Sequence, residues 1–320
     1  MLAVWLALML CAAVGVCDMA CYKPVASLRL DDGTVLFGQK ASAKFSGSEL
    51  ELPCRQCIGC RLERSRQWAM RCLHEASIHD GNMFVTLTYD DEHLPKNGSL
   101  VYRDVQLFLK RLRKKYGKVS FYCGGEYGSL NFRPHYHLCI FGLYFDDRKL
   151  FSERQGNKIY TSDKLAKLWP LGFSCFGDVT FQSAAYIARY CVQKVTGQMA
   201  DEHYKRIDLA TGEIYNIQPE FNRMSLNPAI GKRWLEKYEM DVFPSDFVIV
   251  NGRKVKPPKY YDTLFRKIHK ESDEKMLFFE SLQFDRIEKA RKHAENNTTA
   301  RLLVRNLVKE AQASQLKRFL

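Results

Sequence analysis

An α+β fold, in which an antiparallel sheet packs against flanking helices, is what this 320-residue chain predicts. Three observations lead there. The periodic segments run strand, helix, two strands, strand, helix; a short loop containing Pro134 joins the two middle strands; and helical patterns fill the chain beyond Pro257 and Pro258. No internal repeat is visible, and the order does not fit a doubly wound parallel sheet.

The elements follow in turn. After a poorly periodic N-terminal region, residues 61–77 (RLERSRQWAMRCLHEAS) read as a helix with Leu62, Ala69, Leu73 and Ala76 on one stripe. MFVTLTYD (83–90) is a strand of β-branched and aromatic residues, closed by a polar loop carrying Asp90, Asp91 and His93. Residues 103–117 form a helix with Val105, Leu107, Phe108 and Leu112 inward and a basic end. Two strands follow, 119–128 and 135–142. The stretch from Asp146 to Pro170 is irregular apart from a helix around Ser162 to Trp169. CFGDVTF (175–181) is a strand leading into a helix over 183–197, capped by Ser183 and stopped at Gly197. Residues 207–216 resemble a hairpin around Thr211 and Gly212.

Composition narrows the class of partner. The net charge is +13, and residues 251–320 hold 17 Lys and Arg against 9 Asp and Glu. A polyanionic partner fits that balance, with the basic tail as a nucleic-acid-binding arm or a solvated helix face. The 11 cysteines are odd in number and sit in a large chain, unlike a secreted disulfide framework. Cys54, Cys57 and Cys60 (CRQCIGC) have the spacing of a structural zinc site that lacks one ligand, for which Cys21, Cys72 and His74 are the options. The apolar run of residues 1–18 lacks a leading positive charge and is marginal for a signal peptide or a transmembrane helix. Met19 opens a second plausible start, so 1–18 reads as an N-terminal extension of the reading frame, and no stable membrane association is expected.

The chemistry concentrates in two places. On a strand, residues i and i+2 share a face, so His135 and His137 present two imidazoles together while Tyr136 faces away. Glu126, on the preceding strand, completes a facial set suited to Mg or Mn, with coordination positions left open. An isolated pair of this kind also serves as hydrogen-bonded strand residues. Tyr186 and Tyr190 stand one turn apart on the following helix, with Arg189 and Lys194 nearby. A phenol beside a metal-polarised phosphate and a cation can attack phosphorus and store the bond as an ester. Alone, such a tyrosine pair is ordinary aromatic packing.

FVTLTY (84–89), RPHYHLCIFG (133–142) and YIARYCVQK (186–194) occur in the order of the three motifs of rolling-circle replication initiators, the HUH endonucleases named for a His-hydrophobic-His metal motif. MACYKP, LPCRQCIGCRLERSRQWAMRC, GGEYG and NPAIGKRWLEKY narrow the match: the chain resembles the gokushovirus (microvirus) replication initiation proteins over most of residues 19–240. That resemblance implies an RRM-like central antiparallel sheet with the tyrosine helix across the metal, and a mainly helical, basic extension over 241–320. It implies nicking of one strand of double-stranded replicative-form viral DNA at the origin and a 5′-phosphotyrosine link. A second transfer would release circular single-stranded DNA. It further implies the host replication helicase and DNA polymerase as partners, in the host bacterial cytoplasm. Related initiators carry Lys before the second tyrosine; Arg189 stands there in this chain, a planar and more diffuse cation. The competing reading is a non-catalytic, zinc-containing DNA-binding regulator.

Overall fold

The computed structural model describes residues 21–38, 47–128, 131–154, 156–193, 200–207, 211–243, 245–250 and 252–314. Residues 1–18, Lys194 and Gly197 lie outside the described residues, as do the side chains of Arg189 and Tyr190. The described residues divide into two compact units. One is Arg64–Tyr261; the other joins the residues before Arg64 to those from Asp262 onward. No described helix is long and apolar enough to cross a membrane.

In the first unit named, the sheet is built from β4 (Asn82–Thr88), β5 (Ser120–Tyr127), β6 (Pro134–Phe141), β7 (Lys149–Arg154), β8 (Asn157–Thr161), β9 (Ser174–Gly177) and β12 (Phe221–Met224). Its order is β12-β5-β6-β4-β9-β8-β7, with every pairing antiparallel. The α+β expectation holds. The three central strands are covered on both faces, which is why β5 and β6 read as nearly continuous apolar runs.

Alternation sorts the side chains. Met83, Val85 and Leu87 of β4, Phe121 and Cys123 of β5, and Tyr136, Leu138 and Ile140 of β6 join one core. Helix α2 (Tyr102–Tyr116) packs there through Val105, Phe108, Leu109 and Leu112, joined by Leu165, Leu168 and Trp169 of and after α3 (Asp163–Leu168). The inward stripe of α2 therefore contains Leu109, with the expected Leu107 only half-buried. Tyr136 is buried in this core, and its hydroxyl donates to Val101 O at 3.0 Å while accepting from Val101 N at 2.7 Å. The central histidine strand is thereby tied to the start of α2.

Phe84, Tyr122, Cys139 and Phe141 point to the opposite face, where they meet Ala69 and Cys72 of α1 (Ile58–Ala76) and Ala184, Ile187 and Ala188 of α4 (Phe181–Gln193). Helix α1 is thus not packed by a single stripe. It buries Ser65, Ala69, Met70, Cys72, His74 and Glu75, whereas Leu62, Leu73 and Ala76 are half-buried. Helix α4 starts two residues earlier than expected. Thr180 and Ser183 satisfy each other's backbone N–H reciprocally, at 2.8 and 3.1 Å, so Ser183 is the inner partner of a capping pair and not the cap itself.

The β7–β8 hairpin occupies the stretch expected to be irregular, and the strand expected over 175–181 is the shorter β9. The second unit carries the sheet β2-β1-β3, from β1 (Val25–Arg29), β2 (Val35–Phe37) and β3 (Ser48–Leu52), where no periodicity was legible. It also contains α8 (Asp273–Arg291) and α9 (Thr299–Ser314), in the helical C-terminal stretch the pattern predicts.

Candidate active site

The pairing of β5 with β6 sets Glu126 opposite His135 and Gly124 opposite His137, and β4 sets Thr86 opposite His137 on the other side. All of these residues face α4. Strand alternation alone therefore places Glu126, His135 and His137 together, with Tyr136 on the reverse face, as the spacing predicts. His135 Nε2 lies 2.6 Å and His137 Nε2 2.8 Å from the same oxygen, Glu126 Oε1, and the two rings stand at 90°. Glu126 and His137 are buried; His135 is partly exposed at the rim.

Each ring is oriented through its other nitrogen. His135 Nδ1 is 3.1 Å from the Arg133 carbonyl, and His137 Nδ1 is 3.0 Å from Thr86 Oγ1. A carbonyl only accepts, so Nδ1 of His135 carries a proton. Its Nε2, aimed at a carboxylate oxygen, then needs either a second proton or a cation between the two. Glu126 Oε2 is buried with no hydrogen-bond partner among the described residues. A three-donor O, N, N set, rings held from behind and an orphaned carboxylate oxygen all fit a divalent cation.

The electrostatics run the same way. Burial alone would raise the Glu126 carboxyl, but hydrogen bonds and charge from His135 and His137 outweigh it and hold the group below its ordinary value. Burial would lower both imidazoles. At His135 the Glu126 interactions outweigh burial and the net direction is up; at the more deeply buried His137 burial wins and the net direction is down.

Tyr186 joins this cluster from α4. Its hydroxyl is 3.4 Å from Glu126 Oε1, and its ring meets His137 edge-on at 5.1 Å. The helix comes this close because position 124 has no side chain: a Cβ there would sit 2.9 Å from Ile187 Cγ2. Asn222 of β12 holds α4 in place, its amide donating to Ile187 O at 3.1 Å and to the Tyr122 hydroxyl at 3.0 Å. On the far side of α4, Ser65 donates to Ala185 O at 2.9 Å. Thr86, Gly124 and Asn222 were not singled out in the sequence. Nothing local marks them, because their importance depends on cross-strand register. Tyr190 and Arg189 follow on α4, with side chains outside the described residues, and Lys194 lies beyond its described end.

A second cluster belongs to the other unit. Cys21 completes Cys54, Cys57 and Cys60 as a group of four thiols. The two other options for a fourth ligand are engaged elsewhere. Cys72 is fully buried in the core beneath α4, and His74 stacks on Trp234 at 3.6 Å and bonds the Tyr261 hydroxyl at 2.6 Å. Asp90 and His93 pair with each other in the polar loop, and Asp91 pairs with Arg133.

A family model described as replication-associated protein ORF2 matches residues 82–195, the stretch that holds Glu126, both histidines and the tyrosine helix. The chain is 36% identical over 265 residues to the replication-associated protein VP4 of Bdellovibrio phage phiMH2K, spanning 79% of each chain. It is 34% identical over 226 residues to the replication-associated protein ORF2 of Spiroplasma virus 4, spanning 66% of each. With the replication-associated protein ORF4 of Chlamydia phage 1 it shares 30% over 234 residues, which is 70% of this chain and 55% of that one. No solved structure matches the chain. A sheet that gathers two histidines, a glutamate and a tyrosine inside the stretch shared with these relatives leads to one assignment: the chain belongs to the family of gokushovirus-type replication-associated proteins.

Proposed function

We propose that this protein initiates rolling-circle replication by cutting one strand of double-stranded replicative-form viral DNA at the origin. In this reading it stays attached through a 5′-phosphotyrosine and later rejoins the ends to release circular single-stranded DNA. The observation that carries the reading is the approach of the Tyr186 hydroxyl to the carboxylate oxygen on which both histidine rings converge. Mg²⁺ or Mn²⁺ bound by Glu126, His135 and His137 would polarise the scissile phosphate.

The residues of the chain have separate tasks. Thr86 and the Arg133 carbonyl hold the imidazoles so that both Nε2 atoms face the ligand position. The Tyr186 oxygen attacks phosphorus as its proton departs. The bond from phosphorus to the 3′ oxygen breaks, and that oxygen leaves as a hydroxyl for the host polymerase to extend. Because the phosphodiester energy is kept in the tyrosine ester, the reverse attack by a 3′ hydroxyl closes a circle without ATP. Tyr190, one turn on, serves the alternate transfer, with Arg189 and Lys194 balancing phosphate charge. The host helicase unwinds ahead of the polymerase, in the bacterial cytoplasm.

The test uses supercoiled DNA carrying the origin, with and without divalent metal. The expected product is a nicked circle whose 5′ end is blocked by protein, absent without metal. Full adduct yield from the double variant Tyr186→Phe, Tyr190→Phe would refute the assignment. The four-cysteine cluster favours a second reading, a non-catalytic zinc-containing DNA-binding regulator; that protein would bind the origin and leave it closed.

A further inference from the structure

We propose that Cys21, Cys54, Cys57 and Cys60 bind one Zn²⁺ as a closed, four-thiolate structural site. The inference is independent of the strand-transfer reading, since it concerns different residues in the other unit.

The geometry is that of a tetrahedron around one ion. All four sulfurs lie within 4.8 Å of one another; Cys21 to Cys54 is 3.6 Å and Cys21 to Cys57 is 3.9 Å. Four sulfurs about 2.3 Å from a central zinc stand about 3.8 Å apart. None of the four is in a disulfide. An iron–sulfur cluster, which places several iron atoms and sulfides between its thiolates, needs its cysteines farther apart than this. Soft sulfur donors in a tetrahedral set of this size select zinc.

Backbone geometry supplies an independent observation. Tyr22 N donates to Cys57 Sγ at 3.3 Å, Cys54 N to Cys21 Sγ at 3.3 Å, and Cys57 N to Cys54 Sγ at 3.2 Å. Three sulfurs thus each receive an amide N–H, the arrangement that stabilises thiolate charge. Thiols used only as apolar filler have no need of it. The turn that aims Cys54 and Cys57 inward passes through Arg55 in a left-handed conformation, φ 61°. A residue with a Cβ adopts that conformation at a cost of about 1 kcal/mol, which the surroundings must offset.

The position explains the use. Cys21 precedes β1 and Cys54 follows β3, at the end of the ladder where Val25 pairs with Leu52; Cys57 and Cys60 flank the start of α1. Within the three strands only Ser27 and Leu28 are buried. So small a sheet lacks the apolar core to stand alone. One ion joining both ends of the ladder to the first turn of α1 supplies the missing cross-link, as in other small metal-held modules.

The test is made on the full chain purified without chelators. Elemental analysis should find one zinc per chain. A thiol-reactive mercurial should release that zinc to a chromogenic chelator, and Co²⁺ exchanged in its place should show intense thiolate charge-transfer bands and tetrahedral ligand-field bands. Cys21→Ser should lower zinc retention against a competing chelator by tenfold or more. The double variant His135→Ala, His137→Ala should retain its zinc. The proposal is overturned if the wild-type chain carries iron instead. It is equally overturned if the chain holds no stoichiometric metal and gives Co²⁺ spectra without thiolate bands, or if Cys57→Ser, Cys60→Ser keeps a full zinc complement. The wild-type spectrum decides even if the variants fail to fold.

Discussion

The two clusters of ligand-type side chains show how differently one chain can use the same class of residue. At Glu126, His135 and His137 the donors are one oxygen and two nitrogens, projected from adjacent strands, with a tyrosine hydroxyl against them. At Cys21, Cys54, Cys57 and Cys60 the donors are four sulfurs converging from loops and a helix start, which fills a tetrahedron. A three-donor set leaves positions for substrate and suits a hard ion that binds phosphate; a closed thiolate set excludes substrate and holds chain segments together. Ligand count and rigidity of support, read together, separate a site for chemistry from a site for architecture.

The largest effect should come from breaking the three-donor set. His137→Gln is expected to lower origin nicking by about 10³-fold or more, because it removes a donor and the orientation of the cation while leaving phosphate contacts elsewhere. Binding to origin duplex, measured in parallel, should change by less than about threefold. A variant that nicks at the wild-type rate would end the comparison, since both clusters would then be structural.

Metal removal should then divide the two sites. A brief wash with a weak chelator is expected to abolish nicking, which returns with Mg²⁺ or Mn²⁺, and to leave the thermal melt unchanged. Stripping the thiolate metal with a mercurial should remove a melting transition, since structural zinc stabilises its module by about 10 kcal/mol in isolated peptides. One chelator concentration producing both losses together would mean the clusters do not differ in kind.

Acid should weaken the sheet-bearing unit through His74. Burial pushes that imidazole down to about 4, against 6.5 when unfolded. Its contribution is complete above pH 6.5, falls as the unfolded chain takes up a proton the folded chain refuses, and stops falling below about pH 4. The loss over that window amounts to about 3 kcal/mol. Urea titrations at pH 7 and pH 4 measure it, and His74→Phe should flatten the dependence. An equal slope in the variant would place the acid sensitivity elsewhere.

Gly124→Ala should act more gently, by moving the tyrosine helix and not the ligands. Ile187 Cγ2 would have to give way, at a cost of about 1–3 kcal/mol in overpacking. Nicking is expected to fall about tenfold or more, because a small displacement of a reacting atom is costly, with Mn²⁺ affinity retained. Pairing it with Ile187→Val should restore part of the rate. A drop in metal affinity of the same size would show that Gly124 serves β5 and β6 instead of α4.

How much of this was legible in sequence follows from the range of the interactions. His135, His137 and Glu126 were legible because strand periodicity and one short hairpin suffice to bring them together. The four-thiol group was legible as three; Cys21 stands far back in sequence, and only the pairing of β1 with β3 brings it to Cys54. The β1–β3 sheet itself was not legible, since strands with two buried residues carry almost no hydrophobic alternation. Helix α1 misled for the opposite reason: it packs on more than one side, which blurs a single stripe. Thr86, Gly124 and Asn222 act across strands, and no local pattern encodes register.

The smallest expected effect concerns the basic residues of the C-terminal helices, and it shows why the division into units matters for choosing a variant. Ending the chain after Pro258 would remove the exposed cations, but it would also remove Tyr261, which bonds His74 and stacks on Trp234 at 5.8 Å. Weakened DNA binding would then report damage to the sheet-bearing unit as readily as lost phosphate contacts. Neutralising Lys267, Lys270, Lys292 and Arg301, all exposed, avoids that damage. Each one that contacts duplex phosphate should reduce the slope of log affinity against log salt by about 0.9. A quadruple variant with an unchanged slope and an unchanged melt would assign DNA contact to the sheet-bearing unit, and the C-terminal helices would join the thiolate cluster on the architectural side of the comparison.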